Sequence, residues 1–240
     1  SEKKIGNPTH TIAKLVFWFV FSTLILSLFY SVYHIIIAPQ GTTAIEEFDK
    51  IKTDYVLMLA QCVIGLIVIF LPSILERKFR LHIPSFMTLV FILFLYASIY
   101  LGEIRDFYYK VKHWDTILHT FSGLMLGAMG FSVVSLLNHT EKINLNSLLV
   151  AIFAFCFAVT LGVIWEIYEF TMDGFGLNMQ KFATQNGELL VGRSALSDTM
   201  VDLIVDAVGA AVMAIIGYIS LKYKKGWIEK LLFKYYKKEK

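Results

Sequence analysis

Two pairs of ionisable residues that could do chemistry lie at helical spacing within apolar stretches of the chain. Asp115 precedes His119 by four residues, and Asp202 precedes Asp206 by four. Side chains spaced by four share one face of an α-helix, so each pair points in one direction. An ionised group at the centre of a bilayer costs about 2.5–3.5 kcal/mol on insertion scales. Each of these faces is therefore expected to turn away from lipid, towards another charged face or towards water.

Further acidic residues repeat the pattern at the ends of two other apolar stretches. Glu166, Glu169 and Asp173 follow one another at spacings of three and four, and Glu103 and Asp106 are three apart. We expect the charged faces to converge on one cavity. Carboxylates gathered closely repel one another unless a cation compensates them or some of them hold protons. The pattern therefore favours either a metal site or a protonated cluster.

A divalent metal ion is the cofactor that this set of residues predicts. Carboxylate oxygens suit Ca²⁺, Mg²⁺ or Mn²⁺, and the imidazole shifts the preference towards Mn²⁺, Zn²⁺ or Fe²⁺. The predicted metal ligands are His119, Glu166, Asp202 and Asp206. The sequence contains no His-Glu-x-x-His motif and lacks the Glu-x-x-His pairs of helical di-iron proteins, so the metal is not identified by a motif.

The remaining polar residues are candidates for catalysis and substrate binding. Asp115 or Glu169 would serve as general base for water or a substrate hydroxyl. Arg193 would hold a phosphate or carboxylate of the substrate. It belongs to the segment 171–197, whose length and glycines are typical of a binding loop or lid. Lys181 is a second loop cation that would reach the mouth of the cavity.

A purely structural interpretation of the charges stays open. In that interpretation the carboxylates pair with Arg193, Arg105 and Lys110 and hold the helices together. Asp198 would then be the N-cap of the last apolar helix, because an aspartate before a helix satisfies its first unpaired N–H groups. Asp173 would similarly stabilise a turn.

Apolar blocks of about 20 residues, the length that crosses a hydrocarbon core, position these side chains. The chain has 240 residues, of which 57% are hydrophobic. We predict an all-α polytopic transmembrane bundle in which residues 1–225 form one domain. Pro72 is expected to interrupt the second span and Pro84 to begin the third. The predicted spans lie near residues 15–37, 55–75, 85–102, 115–137, 147–170 and 199–221.

Basic residues set the predicted orientation of the bundle. They cluster before the first span and after the second, the fourth and the sixth. The positive-inside rule places these segments, and both termini, in the cytoplasm. The first apolar block is too long for a signal peptide, so it is expected to be a retained span. The carboxylate and histidine residues would then face the extracytoplasmic side.

The lysine-rich segment 226–240 is expected to lie on the membrane surface. Its apolar and basic residues fall largely on opposite faces of a helix, which is typical of a helix in the headgroup region. A disordered tail is the alternative. The basic charge concentrated here indicates membrane lipid as a partner and excludes a nucleic-acid partner.

Three stretches resemble those of the YjdF-type bacterial inner-membrane family, in the same order. They are residues 113–123 (HWDTILHTFSG), 165–170 (WEIYEF) and 198–210 (DTMVDLIVDAVGA). The likeness covers most of the chain after about residue 55. That family has no established reaction, so the resemblance implies a multi-pass protein of the bacterial inner membrane and assigns no residue a role.

A more distant resemblance is to VanZ-like membrane proteins. These proteins share a Trp-Glu helix, a following arginine and an aspartate-rich helix that ends in glycine. This sequence differs from them near Asp206, where an asparagine is expected in VanZ-like proteins. The resemblance implies a role in the bacterial cell envelope. The corresponding residues here are Trp165, Glu166, Arg193, Asp198, Asp202 and Gly209.

The leading functional hypothesis is an outward-facing, metal-dependent hydrolase or transferase. Its substrate would be a lipid, a lipid-linked envelope precursor or another small molecule. A proton- or cation-coupled transporter is the second hypothesis, because protonatable side chains inside spans are common in such proteins. A structural protein of the envelope is the third.

Overall fold

The fold consists almost entirely of helices that run back and forth between two ends. The computed structural model describes residues 8–38, 50–141, 145–181, 184 and 188–235. In chain order the elements are α1 (Pro8–Ile37), α2 (Lys52–Val68), α3 (Leu71–Phe79), β1 (Leu81–His82), α4 (Ser85–Leu95), a π-helix (Tyr96–Ile104), α5 (Phe107–Lys110), α6 (Trp114–Glu141), α7 (Ser147–Asp173), α8 (Arg193–Lys222) and β2 (Lys234–Tyr235).

Within the described residues, six helical segments are long and apolar enough to cross a membrane. The predicted all-α transmembrane bundle is thereby confirmed, while the side of the membrane that each end faces stays a prediction. Helices α2 and α3 make up the second segment, and the chain bends between them at Pro72, which lies in the first turn of α3. Pro84 is the residue directly before α4, as predicted. The remaining segments are α1, α4 with the π-helix, α6, α7 and α8.

The last helix begins earlier than the sequence pattern predicted. Helix α8 starts at Arg193 instead of residue 199, and α7 continues to Asp173, so the connection shortens from 171–197 to 174–192. Gly192, whose φ is 59°, adopts the left-handed conformation that favours glycine and marks the start of the helix. The N-cap interpretation of Asp198 is therefore wrong, because this residue lies inside α8.

The helices pack in two groups. Helix α1 packs against α2, α4 and the π-helix, whereas α6, α7 and α8 each pack against the other two. Burial along α1 follows spacings of three and four through Val20, Leu24, Ser27 and Ser31, so one face of this helix points inwards. The Ser27 and Ser31 hydroxyls donate to backbone carbonyls one turn earlier, which satisfies them inside the apolar core.

Helices α6 and α8 approach each other at two glycines. A Cβ atom on Gly123 would collide with the backbone oxygen of Asp206 and lie 3.1 Å from the Ala210 nitrogen. A Cβ atom on Gly209 would collide with the backbone oxygen of Thr120. Small residues permit this close approach, which brings the backbones of membrane helices into direct contact. The contact lies about one turn from His119 and from Asp206, so it sets how near these two side chains come.

The tail after α8 does not form the predicted surface helix over residues 226–235. Instead β2 pairs antiparallel with β1, with Tyr235 opposite Leu81. Ile228 and Phe233 are buried in the core of the second helix group. The Ser132 hydroxyl accepts a hydrogen bond from the Phe233 backbone N–H. Core burial, this bond and the strand pair attach the tail to the second helix group and to β1. Residues 236–240 lie outside the described part of the chain.

The glycine contact yields a prediction for stability. Gly209→Ala places a methyl group against the Thr120 backbone, and we expect the overpacking to destabilise the fold by about 1–3 kcal/mol. The measurement is the thermal unfolding midpoint of the purified chain in detergent. Val208→Ala, at the lipid-exposed neighbouring position, is the control and should change the midpoint little. An unchanged midpoint for Gly209→Ala would contradict the close helix contact.

Candidate carboxylate–histidine site

The candidate residues on α6, α7 and α8 converge at one end of the second helix group. Asp115 and His119 lie in the first two turns of α6, and Glu166 lies near the end of α7. Asp202 and Asp206 lie on the inward face of α8. Because α7 runs antiparallel to its two neighbours, its last turns meet their first turns, so one polar cluster forms as the sequence predicted.

His119 occupies the centre of the cluster. Its Nδ1 atom lies 3.2 Å from Asp206 Oδ2 and 3.9 Å from Glu166 Oε1. Its Nε2 atom lies 3.7 Å from Asp115 Oδ1 and 4.0 Å from Asp202 Oδ2. The imidazole therefore has two carboxylates beside each of its nitrogens, and only the contact with Asp206 has hydrogen-bond length.

Asp206 is held on both of its carboxylate oxygens. The Ser122 hydroxyl donates to Asp206 Oδ1 at 2.6 Å, and Oδ2 faces His119. A Cβ atom on Gly162 would lie 2.8 Å from Oδ2, so this glycine of α7 leaves the space that the carboxylate occupies. Ser122 was not predicted as a site residue. Its spacing of three from His119 was the available signal, since it places the hydroxyl on the same face of α6.

Two carboxylate oxygens of the cluster are buried without a hydrogen bond from any described residue. They are Glu166 Oε1 and Asp202 Oδ2, on side chains that belong to residues only 4% and 2% exposed. The second oxygen of Glu166 is 3.5 Å from the Gln180 amide nitrogen, which is a weak contact. A buried polar atom without a partner costs roughly 1–3 kcal/mol, and more when it is charged. Both oxygens point towards the histidine that they flank.

Lys181 is the cation that partners the outer part of the cluster. Its ammonium group contacts Asp115 Oδ2 and lies 3.2 Å from Asp198 Oδ1. It also lies 5.5 Å from the centre of the Tyr108 ring. Burial lowers the pKa of Lys181, whereas the nearby carboxylates of Asp115 and Asp198 raise it. Their combined effect is larger than that of burial, so the pKa lies above its ordinary value. The ammonium is therefore charged throughout the neutral pH range.

The segment after α7 is folded back over the cluster by Asp173. Its carboxylate accepts hydrogen bonds from the backbone N–H groups of Met179, at 2.5 Å, and Gln180, at 3.0 Å. These bonds place Gln180 and Lys181 above the ends of the helices. The predicted role of Asp173 in stabilising a turn is therefore confirmed. Beneath this segment, burial raises the pKa of the Tyr108 phenol well above its usual value, so the hydroxyl stays protonated.

Two predicted catalytic residues form no ion pair with His119 within the described part of the chain. Glu169 is buried, and its Oε1 accepts a hydrogen bond of 2.9 Å from the indole N–H of Trp165. Arg193 is exposed at the first residue of α8, and no carboxylate of the described chain lies within salt-bridge distance of it. The loop cation that does reach the cluster is Lys181, because the folded-back segment ends beside Asp115.

Among the described residues, Asp115, His119 and Asp202 lie close enough together that they could hold a metal ion. One ligand atom from each lies within 4.8 Å of the others. Asp206 and Glu166 approach the opposite nitrogen of the imidazole. The three predicted carboxylate ligands thus divide between the two sides of His119. Asp206 and Glu166 lie beside Nδ1, whereas Asp202 lies beside Nε2 together with Asp115, which was predicted as a base.

The helices and this cluster define a multi-pass membrane protein with a buried carboxylate–histidine centre. Over residues 18–223 the chain matches the family described as "Predicted membrane protein (DUF2238)", and it belongs to that family. An uncharacterized protein of Thermotoga maritima is 30% identical over 149 residues, which is 62% of this chain and 70% of the relative. No solved structure matches the chain significantly. The YjdF-type and VanZ-like resemblances stay predictions.

The position of Lys181 predicts how the outer carboxylates depend on it. Lys181→Gln removes the shared cation, so Asp115 and Asp198 face each other uncompensated. We expect a loss of stability of about 1–3 kcal/mol, because two partly buried carboxylates lose the cation that both of them contact. The thermal unfolding midpoint in detergent measures it. Lys112→Gln, at an exposed lysine, is the control with the same change of charge.

A second variant separates lost charge compensation from lost packing. Lys181→Gln/Asp115→Asn removes one of the two opposed carboxylates as well, so it should be more stable than Lys181→Gln alone. A double variant that is as unstable as the single one, or less stable, would contradict the ion-pair explanation.

Proposed function

We propose that this chain binds a divalent metal ion through Asp115, His119 and Asp202 and uses it in hydrolysis or group transfer. The observation that carries the proposal is Asp202 Oδ2, which is buried, lacks a hydrogen bond among the described residues and lies 4.0 Å from His119 Nε2. Asp115 Oδ1 lies 3.7 Å from the same nitrogen. A cation between these three atoms would compensate the buried charge.

The other nitrogen of His119 supports the same proposal. Histidines that bind metals generally donate the second ring N–H to a carboxylate, which fixes the ring and its tautomer. Asp206, held in turn by Ser122, lies at that position. With the proton on Nδ1, the lone pair of Nε2 points towards Asp115 and Asp202. Asp206 is accordingly a positioning residue in this proposal and not a ligand.

The donor set also limits the identity of the metal. Two carboxylates and one imidazole suit Mn²⁺ or Zn²⁺ better than Ca²⁺ or Mg²⁺, which prefer oxygen ligands throughout. Such an ion would polarise a substrate oxygen or lower the pKa of a bound water. Glu166, whose Oε1 has no hydrogen bond from the described residues, is a carboxylate available to take a proton. Glu169 is the second candidate base, as predicted from the sequence.

A lipid or lipid-linked molecule is the substrate class that we propose. Trp165 is 46% exposed on the outer face of α7, and its indole bonds Glu169, so the edge of the cluster reaches the surface that lipid would cover. The positive-inside rule would place this end of the bundle outside the cytoplasm, in the inner membrane of a bacterium. That predicted placement supports a substrate of the cell envelope.

A proton- or cation-coupled transporter is the second candidate. The observation that favours it is the depth of the cluster, since His119, Glu166, Asp202 and Asp206 are all buried. Protonatable groups buried within spans are typical of ion pathways. A transporter would exchange protons at these groups without a resident metal, so metal content distinguishes the two candidates.

Metal analysis of the detergent-purified chain tests the proposal. After incubation with Mn²⁺ or Zn²⁺ and removal of free ions, we expect close to one equivalent of metal in the wild type. Asp202→Asn and His119→Ala should lose it, and Asp206→Asn should weaken binding about 10–100-fold, the usual effect of losing a carboxylate that orients a metal-binding histidine.

Asp198→Asn is the matched control for Asp202→Asn. It removes the same charge from the same helix one turn away, but Asp198 contacts Lys181 and lies outside the proposed ligand set. It should retain the metal. If the folded wild type holds no metal, or if Asp198→Asn loses it as completely as Asp202→Asn, the metal site is wrong and proton or cation flux in proteoliposomes becomes the next measurement.

A further inference from the structure

A short strand pair joins two basic segments of the chain that are far apart in sequence. Strand β1 follows α3, β2 lies in the tail after α8, and the two pair antiparallel with His82 opposite Lys234. Arg80, whose φ is 53°, ends α3 in the left-handed conformation and turns the chain into β1. The segment 76–82 therefore lies directly beside the segment 222–235.

Core packing turns the basic residues of both segments outwards. Leu81, Ile228 and Phe233 are buried in one core cluster, which anchors both segments to the second helix group. The arginines and lysines of the segments are all exposed. We refer to these exposed cations as the basic surface. In the first segment they are Arg77, Lys78 and Arg80, and in the second they are the five lysines between positions 222 and 234.

The charge of the basic surface is not balanced by the carboxylates of the two segments. Eight cations stand against two carboxylates, Glu76 and Glu229, which leaves a surplus of six positive charges. Glu76 Oε1 accepts a hydrogen bond of 2.8 Å from the Ile83 backbone N–H and lies 3.6 Å from His82 Nδ1, so it is used within its own turn. In the part of the chain that the structure describes, none of the eight cations has a carboxylate within salt-bridge distance.

Exposed aromatic side chains lie among these cations. Phe79, Tyr223 and Trp227 are each more than half exposed, and Tyr235 is 42% exposed. The Lys78 ammonium lies 5.6 Å from the centre of the Phe79 ring. Aromatic side chains concentrate where membrane proteins cross the headgroup region, and lysine and arginine place their charges at the same depth. The composition of this surface is therefore that of a protein surface at the lipid headgroups.

We propose that the basic surface binds the phosphate groups of anionic membrane lipids. Basic residues at the membrane surface attract anionic headgroups, and the planar guanidinium of Arg80 matches a pair of phosphate oxygens. The strand pair holds Arg80 and Lys234 beside each other, so one arginine and one lysine reach the same headgroup. A zwitterionic lipid offers no net charge, so the surface selects lipids such as phosphatidylglycerol.

This surface is independent of the proposed metal centre. Lys222, the last residue of α8, lies about 24 Å from Asp206 along that helix at 1.5 Å per residue. The two sites share no residue, so a failure of the metal site leaves the lipid proposal intact, and the reverse also holds.

Lipid binding to the delipidated full chain in detergent tests the proposal. Native mass spectrometry counts the lipid retained during titration with dioleoyl phosphatidylglycerol, which is anionic, or with dioleoyl phosphatidylcholine, which has the same acyl chains and no net charge. Wild type should retain phosphatidylglycerol roughly tenfold more strongly or better, and added salt should weaken this preference by screening. Arg80→Gln/Lys234→Gln should reduce the preference roughly tenfold, because two of the attracting charges are lost.

Matched variants separate the basic surface from general effects of charge and folding. Arg105→Gln/Lys112→Gln removes one exposed arginine and one exposed lysine elsewhere and should leave the preference within roughly twofold of wild type. Arg80→Lys/Lys234→Arg keeps both charges and should keep the preference. Lys225→Gln/Lys230→Gln lies outside the strand pair and should reduce the preference without disturbing β1 or β2. The thermal unfolding midpoint shows that each variant is folded.

Each outcome decides the proposal. A preference for phosphatidylglycerol that falls in the two neutralised surface variants and persists in the control and in the charge-conserving variant supports the lipid surface. If wild type retains the two lipids equally, or if the surface variants and the control show the same preference, the proposal is overturned.

Discussion

The second helix group depends on how buried carboxylates are compensated. Asp202, Asp206 and Glu166 lie inside a bundle with an apolar exterior, where an isolated charge is far more costly than in water. His119 lies among all three, and Lys181 compensates the outer carboxylates. The glycines at the helix contacts and the loop segment held by Asp173 bring these partners within reach of one another.

Close helix contact is what makes that compensation possible. The hydrogen bond between His119 on α6 and Asp206 on α8 forms where the two backbones come nearer than larger side chains would permit. Gly123 and Gly209 meet each other's helices at this point, and Gly162 makes room for the carboxylate from the third side. The same small residues that pack the helices therefore shape the polar centre, so packing and chemistry are linked in this part of the fold.

The connections at this end of the bundle supply the outer partners. Asp173 holds the segment after α7 so that Lys181 reaches Asp115 on α6 and Asp198 on α8.

The amino-acid sequence by itself determined the spans and the faces that carry charge. Apolar blocks are long enough to cross a membrane only as helices, and spacings of three and four then place Asp115 with His119 and Asp202 with Asp206. The breaks at Pro72 and Pro84 follow from the missing N–H and fixed φ of proline. These properties are local, so one sequence suffices to predict them.

Only the tertiary structure decided which partners meet. The sequence could not divide the carboxylates between the two nitrogens of His119, because that depends on the angle and depth at which three helices cross. It favoured Arg193 over Lys181 as the loop cation at the site, because the position of a residue along a loop does not reveal where the chain turns back. It also predicted a surface helix for residues 226–240, whereas burial of Ile228 and pairing of β2 with β1 bind the tail to the core. Contacts between distant segments set each of these outcomes, and such contacts leave no periodic signal in the chain.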